Sequence, residues 1–215
     1  MNKNRFPDYI VVEGPIGVGK TSLAKKLAET YGVDLLLEAP MENPFLDNFY
    51  ENPRLSALPT QLHFLFQRVK QIENMRQADL FKPVQIADFL MEKDMLFAEQ
   101  TLTTEELGLY KQVFEKLAPE PPVPDLVIYL QAPPGTLMKR VLHRGIDYES
   151  KIEEGYLRKI SDAYINFFYH YDQSPLLIIN TENFDLVDND KNYQLLIDHI
   201  SSLPPGRHYF NPQDF

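Results

Sequence analysis

The segment "GPIGVGKTS", residues 14–22, has the spacing G-x-x-x-x-G-K-[ST] of a loop that cradles phosphate groups. The apolar residues 9–13 before it predict a buried strand, and the spacing of Leu23, Leu27 and Tyr31 predicts a helix after it. Backbone amides at the start of a helix bind phosphate oxygens. The sequence therefore predicts a binding loop for a nucleoside triphosphate, formed by Gly14, Pro15, Ile16, Gly17, Val18, Gly19, Lys20, Thr21 and Ser22.

Two side chains of this loop have expected roles in phosphoryl transfer. We expect Lys20 to reach the β- and γ-phosphate oxygens of ATP, and Thr21 to be a ligand of Mg²⁺. Magnesium bound with ATP is thus the expected cofactor. The loop does not identify the group that accepts the phosphoryl group, so the acceptor must be inferred from the rest of the chain.

Two carboxylates end predicted strands. Glu38 ends the candidate strand at residues 33–38, and Asp88 ends the one at residues 83–88. The carboxyl ends of parallel strands meet at the edge of the sheet where α/β proteins bind their substrates. A carboxylate at that edge can accept a proton from an attacking hydroxyl. Both are candidate catalytic residues, and Asp88 is also a candidate magnesium ligand.

The segment "LPTQLHFLFQRVKQI" predicts a long helix with Pro59 in its first turn. Gln61, Phe64 and Arg68 share one stripe of this helix. An amide, an aromatic ring and a guanidinium in a row suit a planar ring with hydrogen-bonding groups. A polar edge on a core helix is the alternative interpretation.

Basic side chains cluster on the helix predicted after the fourth strand: Lys139, Arg140, His143 and Arg144. Gly145 ends this helix, and acidic residues follow up to Glu149. This pattern predicts a lid at residues 143–151 that brings arginines to a phosphoryl group when it closes. A solvated basic face is the alternative.

Alternation of apolar and helical segments predicts an α/β fold in a single domain, residues 1–215. The expected architecture is a five-stranded parallel sheet with helices on both faces, and its strand candidates are residues 9–13, 33–38, 83–88, 125–130 and 175–180. The prolines of residues 119–124 predict a stiff connector, and residues 204–215 predict an extended C-terminal arm on the surface.

The composition excludes several kinds of site. The net charge of −10 argues against nucleic acid as a partner. The chain has no cysteine, which excludes disulfides, zinc–thiolate sites and a cysteine nucleophile, and its five histidines lack metal-binding spacing. We find no apolar signal region and no run of membrane-spanning length, so we expect a cytoplasmic protein without a membrane partner.

The order and spacing of several segments resemble the deoxynucleoside kinase family, particularly its bacterial deoxyguanosine and deoxyadenosine kinase-like branch. The resemblance covers about Tyr9 to Ile200 and rests on "VEGPIGVGKTSLAKKLA", "LLLEAPMENPFLDNFYENP", "ADFLMEKDMLFA", "PDLVIYLQAPPGTLMKRVLHRG" and the glutamate of "IDYES". It implies a P-loop kinase fold. It also implies transfer of the γ-phosphoryl of ATP to the 5′-hydroxyl of a deoxynucleoside, in nucleotide salvage.

The resemblance also implies roles for individual residues. Glu38 resembles the general base, and Tyr50 and Glu149 resemble the pair that holds the 3′-hydroxyl of the sugar. Gln61 resembles a glutamine that binds the base, and Phe64 lies along the same pocket wall.

Further matched positions bear on base choice and on the phosphates. Arg68 and Asp94 resemble a pair that faces the base in members accepting purines or deoxycytidine, so we expect deoxyguanosine or deoxyadenosine as substrate. Arg140 and Arg144 resemble lid arginines that clamp phosphates. Phe89 stands where many members have an arginine, although the bacterial branch has an aromatic residue there, and we include it among the substrate-binding candidates. Ile146 replaces a further lid arginine.

Three alternative functions remain. A nucleoside monophosphate kinase, such as a thymidylate kinase, should have more arginine in its acceptor region than Arg54, Arg68 and Arg76. A nucleotide-dependent switch should have N-K-x-D and D-x-x-G motifs, which we do not find. An inactive binding module would not need Lys20, Thr21, Glu38 and Asp88, which are all present. The apolar faces of residues 153–171 also predict a homodimer.

Overall fold

Short apolar runs form the strands of one parallel sheet. The structure is a computed structural model that describes residues 7–78 and 86–211. Within these residues the sheet has the order β2-β3-β1-β4-β5-β6, and every neighbouring pair is parallel. The strands are β1 (Ile10–Glu13), β2 (Leu35–Leu36), β3 (Ile86–Ala87), β4 (Leu126–Gln131), β5 (Leu176–Asn180) and β6 (Arg207–Phe210). This confirms the predicted α/β class.

Helices cover both faces of the sheet because both faces of the central strands are apolar. Successive side chains of a strand point to opposite faces. Ile10 and Val12 accordingly pack into one core cluster and Val11 into another. The helices are α1 (Lys20–Tyr31), α2 (Leu46–Glu51), α3 (Pro53–Ala78), α4 (Lys93–Thr101), α5 (Thr104–Leu117), α6 (Pro134–Arg144), α7 (Glu154–His170) and α8 (Asp190–Ser201).

The two faces carry different helices. Buried leucines of α1, α6 and α8 pack on the face of Ile10, whereas α4 and α7 pack on the face of Val11. A third apolar cluster joins α3 to α5 around Leu65 and Tyr110. None of the helices in the described part of the chain is long and apolar enough to cross a membrane.

The sheet has one strand more than the five predicted, because part of the expected C-terminal arm pairs with β5. Phe210 is buried in the core, and the Nη2 atom of Arg207 donates to the carbonyl oxygens of Phe168, Tyr169 and Tyr171 at the end of α7. A four-residue edge strand with a single buried apolar residue gives too short a pattern to be recognised. Residues 212–215 of the expected arm lie outside the described residues.

Other boundaries also differ from the predicted ones. Helix α3 begins at Pro53, so Pro59 lies inside the helix and not in its first turn. Pro59 has no amide hydrogen to donate within the helix, and α3 packs against α2 and α4. Residues 119–124 are neither helix nor strand, which confirms the connector. Residues 83–85 of a predicted strand lie outside the described residues. On α7, Ile165 and Tyr169 are exposed, and the homodimer stays a prediction.

Candidate active site

Two cavities flank the loop between β1 and α1, at the carboxyl ends of the strands. We call them the first and second cavities. Aromatic and apolar side chains from α2, α3 and α4 form much of the wall of the first cavity. Its polar lining includes Lys20, Thr21, Glu38, Gln61, Arg68, Asp88, Lys93, Arg144 and Glu149. Gly17 borders both cavities, so a ligand spanning the loop would reach from one cavity into the other.

The loop itself, residues 14–19, is shaped by close backbone contacts. Gly14 has φ +147°, and a Cβ atom there would lie 2.4 Å from the carbonyl oxygen of Leu130. Only glycine fits this position. The Nζ atom of Lys20 donates to the carbonyl oxygen of Pro15 at 3.1 Å, and burial lowers the pKa of Lys20 to about 8. An anionic phosphate beside this ammonium would raise its pKa again.

The buried carboxylate of Glu13 fixes the start of the loop. It accepts hydrogen bonds from the amides of Gly14 at 2.8 Å and Leu90 at 2.9 Å, and from the hydroxyl of Tyr164 at 2.9 Å. Glu13 thereby joins the loop to the segment after β3 and to α7. The sequence patterns did not single it out, because its strand position looked like the end of an ordinary apolar run.

Glu38 lies two residues beyond β2 and has a cation on each carboxylate oxygen. Its Oε1 atom accepts from Nη2 of Arg68, and its Oε2 atom accepts from Nζ of Lys93 at 2.6 Å. Burial opposes ionisation of Glu38, but Lys93 and Arg68 together hold its pKa well below the usual range. Glu38 is therefore an ionised carboxylate inside the first cavity.

Asp88 connects Glu38 to the phosphate loop. Its Oδ2 atom accepts from the hydroxyl of Thr21 at 2.6 Å, and its Oδ1 atom accepts from the amide of Glu38 at 2.8 Å. The described residues contain no group of three or more histidines or acidic residues that could hold a metal ion. Mg²⁺ at phosphate sites usually takes only one or two protein oxygens, with phosphates and water completing the set. The hydroxyl of Thr21 and the carboxylate of Asp88 fit that requirement.

Arg68 is shared between Glu38 and a second buried carboxylate, Asp94. Its Nη1 atom donates to Oδ1 of Asp94, whose side chain is fully buried. Burial raises the pKa of Asp94 to about 6, although the positive charge of Arg68 opposes this shift. Among the described residues, Nε of Arg68 has no hydrogen-bond partner. A buried donor is thus left for a ligand or water.

Two of the predicted substrate-binding residues lie behind the first cavity. Asp94 and Phe89 do not line it, whereas Phe64 and Gln61 do. The guanidinium of Arg68 lies 5.4 Å from the ring centre of Phe64 and 5.7 Å from that of Phe89. Phe89 therefore lies beside the guanidinium of Arg68 but outside the lining of the first cavity.

The segment predicted to be a lid lies over the first cavity. Arg144 donates from Nε and Nη2 to the carboxylate of Glu149 at 2.9 and 2.6 Å. The ring of Tyr148 stacks on that of Tyr50, with ring centres 6.2 Å apart. Lys151 forms ion pairs with acidic residues of α2. Tyr50 and Glu149 therefore line the same cavity, as the predicted sugar site requires.

Arg140 lies in the second cavity and not in the first. Its Nη1 atom donates to the hydroxyl of Thr181 at 2.9 Å, next to residues 182–188, which follow β5. The sequence patterns did not identify this segment, because it has no apolar period. Arg144, one helical turn after Arg140, borders both cavities. The two arginines thus share the second cavity, and Arg144 also borders the first.

The chain matches the model of one known protein family over most of its length. The model described as deoxynucleoside kinase matches residues 10–203. The chain belongs to the deoxynucleoside kinase family. As a deoxynucleoside kinase it is an ATP-dependent phosphotransferase, which confirms the activity expected from the sequence.

Individual relatives and structures agree with this assignment. The chain is 35% identical over 201 residues to the deoxyguanosine kinase of Bacillus subtilis, covering 91% of this chain and 97% of the relative. It is 26% identical over 217 residues to the deoxyadenosine/deoxycytidine kinase of Bacillus subtilis, covering 94% and 97%. A deoxyadenosine kinase structure from M. mycoides with bound dCTP has a TM-score of 0.74 at 22% identity, covering 91% of this chain and 100% of that chain. That likeness confirms the P-loop kinase fold.

Because Arg68 pairs with both Glu38 and Asp94, we expect its removal to destabilise the protein. Arg68→Met leaves Asp94 without its charge partner, so we expect the free energy of unfolding to fall by about 3 kcal/mol. Adding Asp94→Asn removes the unpaired charge, and the double variant should recover at least half of that loss. Urea unfolding at pH 7 measures both differences.

The matched control is Arg158→Met on α7, whose exposed ion pair with Glu154 should be worth less than about 0.5 kcal/mol. A double variant no more stable than Arg68→Met would show that the unpaired charge of Asp94 is not the source of the loss.

Proposed function

We propose that this deoxynucleoside kinase phosphorylates the 5′-hydroxyl of a purine deoxynucleoside, deoxyguanosine or deoxyadenosine, in nucleotide salvage. One observation supports this most strongly. The ionised carboxylate of Glu38, the phosphate-loop Lys20 and the polar stripe containing Arg68 line a single cavity. An acceptor could therefore place its 5′-hydroxyl beside the loop while its base contacts Gln61, Phe64 and Arg68.

The donor nucleotide would occupy the loop and the second cavity. Its β- and γ-phosphates would lie against the amides of the loop and Lys20, and the remainder of the nucleotide would extend toward Arg140 and Thr181. Thr21 and Asp88 would hold Mg²⁺, which neutralises charge on the phosphate oxygens when bound. Arg144, at the border of the two cavities, would add positive charge beside the transferring group.

Glu38 would orient the 5′-hydroxyl and take its proton. The two cations on Glu38 keep it ionised, so it can accept a hydrogen bond without first losing a proton itself. Each carboxylate oxygen has a second lone pair, which leaves room for the hydroxyl beside the existing partners. Phosphoryl transfer depends mainly on positioning and charge stabilisation, and a fixed carboxylate supplies both orientation and a proton acceptor. Tyr50 and Glu149 would contact the 3′-hydroxyl.

The base would lie along Gln61, Phe64 and Arg68. Stacking on Phe64 is available to any base, whereas the polar edge selects among bases by hydrogen bonds. The unpartnered Nε of Arg68 offers one donor near that edge. A site with buried polar groups rejects a base that leaves them unpaired. Of the two relatives from Bacillus subtilis, one is named for deoxyguanosine and the other for deoxyadenosine and deoxycytidine, which is consistent with a purine substrate and with deoxycytidine behind it.

Substitutions of Glu38 and Asp88 would separate the roles of these two carboxylates. Glu38→Gln keeps the size of the side chain but removes the proton acceptor, so turnover should fall by about 10²–10⁴-fold. Its dependence on Mg²⁺ should be unchanged. Asp88→Asn weakens a metal ligand, so the Mg²⁺ concentration for half-maximal rate should rise at least about tenfold.

Steady-state assays over a magnesium series measure both effects. Near-normal turnover in Glu38→Gln, together with complete loss in Asp88→Asn at saturating magnesium, would make Asp88 the proton acceptor.

Another prediction concerns the acceptor. The protein is incubated with magnesium-ATP and each deoxynucleoside or deoxynucleoside monophosphate in turn, and the phosphorylated product is quantified. Deoxyguanosine or deoxyadenosine should have the highest kcat/KM, deoxycytidine should follow, and thymidine should be at least about 10²-fold poorer.

A Lys20→Met preparation controls for contaminating kinases. Preference for thymidine would contradict the proposed base site, and phosphorylation of monophosphates alone would contradict the proposed acceptor.

A further inference from the structure

Lys93 is a buried lysine in an unfavourable place. It is 7% exposed, and it is the first residue of α4. The start of a helix carries partial positive charge, so a cation there is repelled. A buried ammonium also loses its hydration. Two costs of this kind indicate that Lys93 is present for a reason other than the stability of α4.

Glu38 offsets both costs. The Nζ atom of Lys93 donates to Oε2 of Glu38 at 2.6 Å, and Glu38 is the only hydrogen-bond partner of that ammonium within the described ranges. The ring of Phe97, 5.6 Å from Nζ, covers the ammonium from the side. Lysine carries three N–H donors, so two remain beside the first cavity.

Lys93 differs from the other cation on Glu38 in having no competing carboxylate partner. Arg68 divides its guanidinium between Glu38 and Asp94, and its Nε atom has no partner. A base that binds along α3 would engage Arg68 as well. Lys93 would then be the contact that still fixes Glu38.

We propose that Lys93 is a positioning residue for phosphoryl transfer, which holds Oε2 of Glu38 so that the carboxylate keeps one orientation when the acceptor base engages Arg68. This inference rests on the proposed role of Glu38. It assigns Lys93 no contact with the transferred group. The charge and length of the Lys93 side chain affect the reaction only through its contact with Glu38.

A double-mutant cycle with the full chain, magnesium-ATP and deoxyguanosine tests this role. Lys93→Met preserves length and removes the charge, so kcat should fall about 100-fold, as expected for a misplaced reacting group, while KM changes less than about threefold. Lys93→Arg should recover at least about a tenth of the wild-type kcat. In a Glu38→Gln background, Lys93→Met should lower kcat by less than about threefold, because a residue acting through Glu38 has nothing left to position.

Lys111→Met on the exposed side of α5 is the matched control and should leave kcat unchanged. Thermal unfolding checks that each variant folds. If Lys93→Met does not fold, Lys93→Gln replaces it in the cycle, with an expected loss of about tenfold. A 100-fold loss in both backgrounds would overturn the inference, as would a normal kcat in Lys93→Met. Failure of the wild-type protein to phosphorylate any deoxynucleoside would instead refute the proposed function.

Discussion

The first cavity, which we propose as the acceptor site, depends on the pairing of buried charges around Glu38. Two carboxylates, Glu38 and Asp94, and two cations, Arg68 and Lys93, meet where water is largely excluded. An unpaired charge in such a place costs several kcal/mol, so none of the four can be withdrawn alone. Because the groups come from the segment after β2, from α3 and from α4, their pairing fixes the relative positions of these elements. The shape of the first cavity follows from that constraint.

The donor side is joined to this network through backbone groups. Asp88 accepts from Thr21 and from the amide of Glu38, and Glu13 accepts from the amides of Gly14 and Leu90. Both carboxylates thereby couple the phosphate loop to segments that border the first cavity. A displacement of the loop would shift the groups that line this cavity. Phosphoryl transfer requires such fixed geometry, because most of its catalysis is positioning and charge stabilisation.

The sequence predicted those features that are encoded locally. The phosphate loop is a contiguous motif between a strand and a helix, and its glycines are required by close backbone contacts such as that of Gly14 with Leu130. Lys93 was not predicted, because its burial depends on a partner 55 residues away. One signal was available: Lys93 lies next to Asp94 and just before the apolar run of residues 95–98. Periodicity places Arg140 and Arg144 on one face of α6, but it does not show that Arg144 also reaches the first cavity, because that depends on how α6 packs beside the loop. The family and fold are confirmed, and the residue roles stay predictions.

A crystal structure with deoxyguanosine, magnesium and a non-hydrolysable ATP analogue would show whether the charge network around Glu38 holds the acceptor. We expect the 5′-oxygen within hydrogen-bond distance of the Glu38 carboxylate. The base should stack on Phe64 with its edge at Gln61 and Arg68, and the triphosphate should lie on the loop. A 5′-oxygen bound to Asp88 and remote from Glu38, or a purine seated in the second cavity beside Arg140, would contradict this expectation.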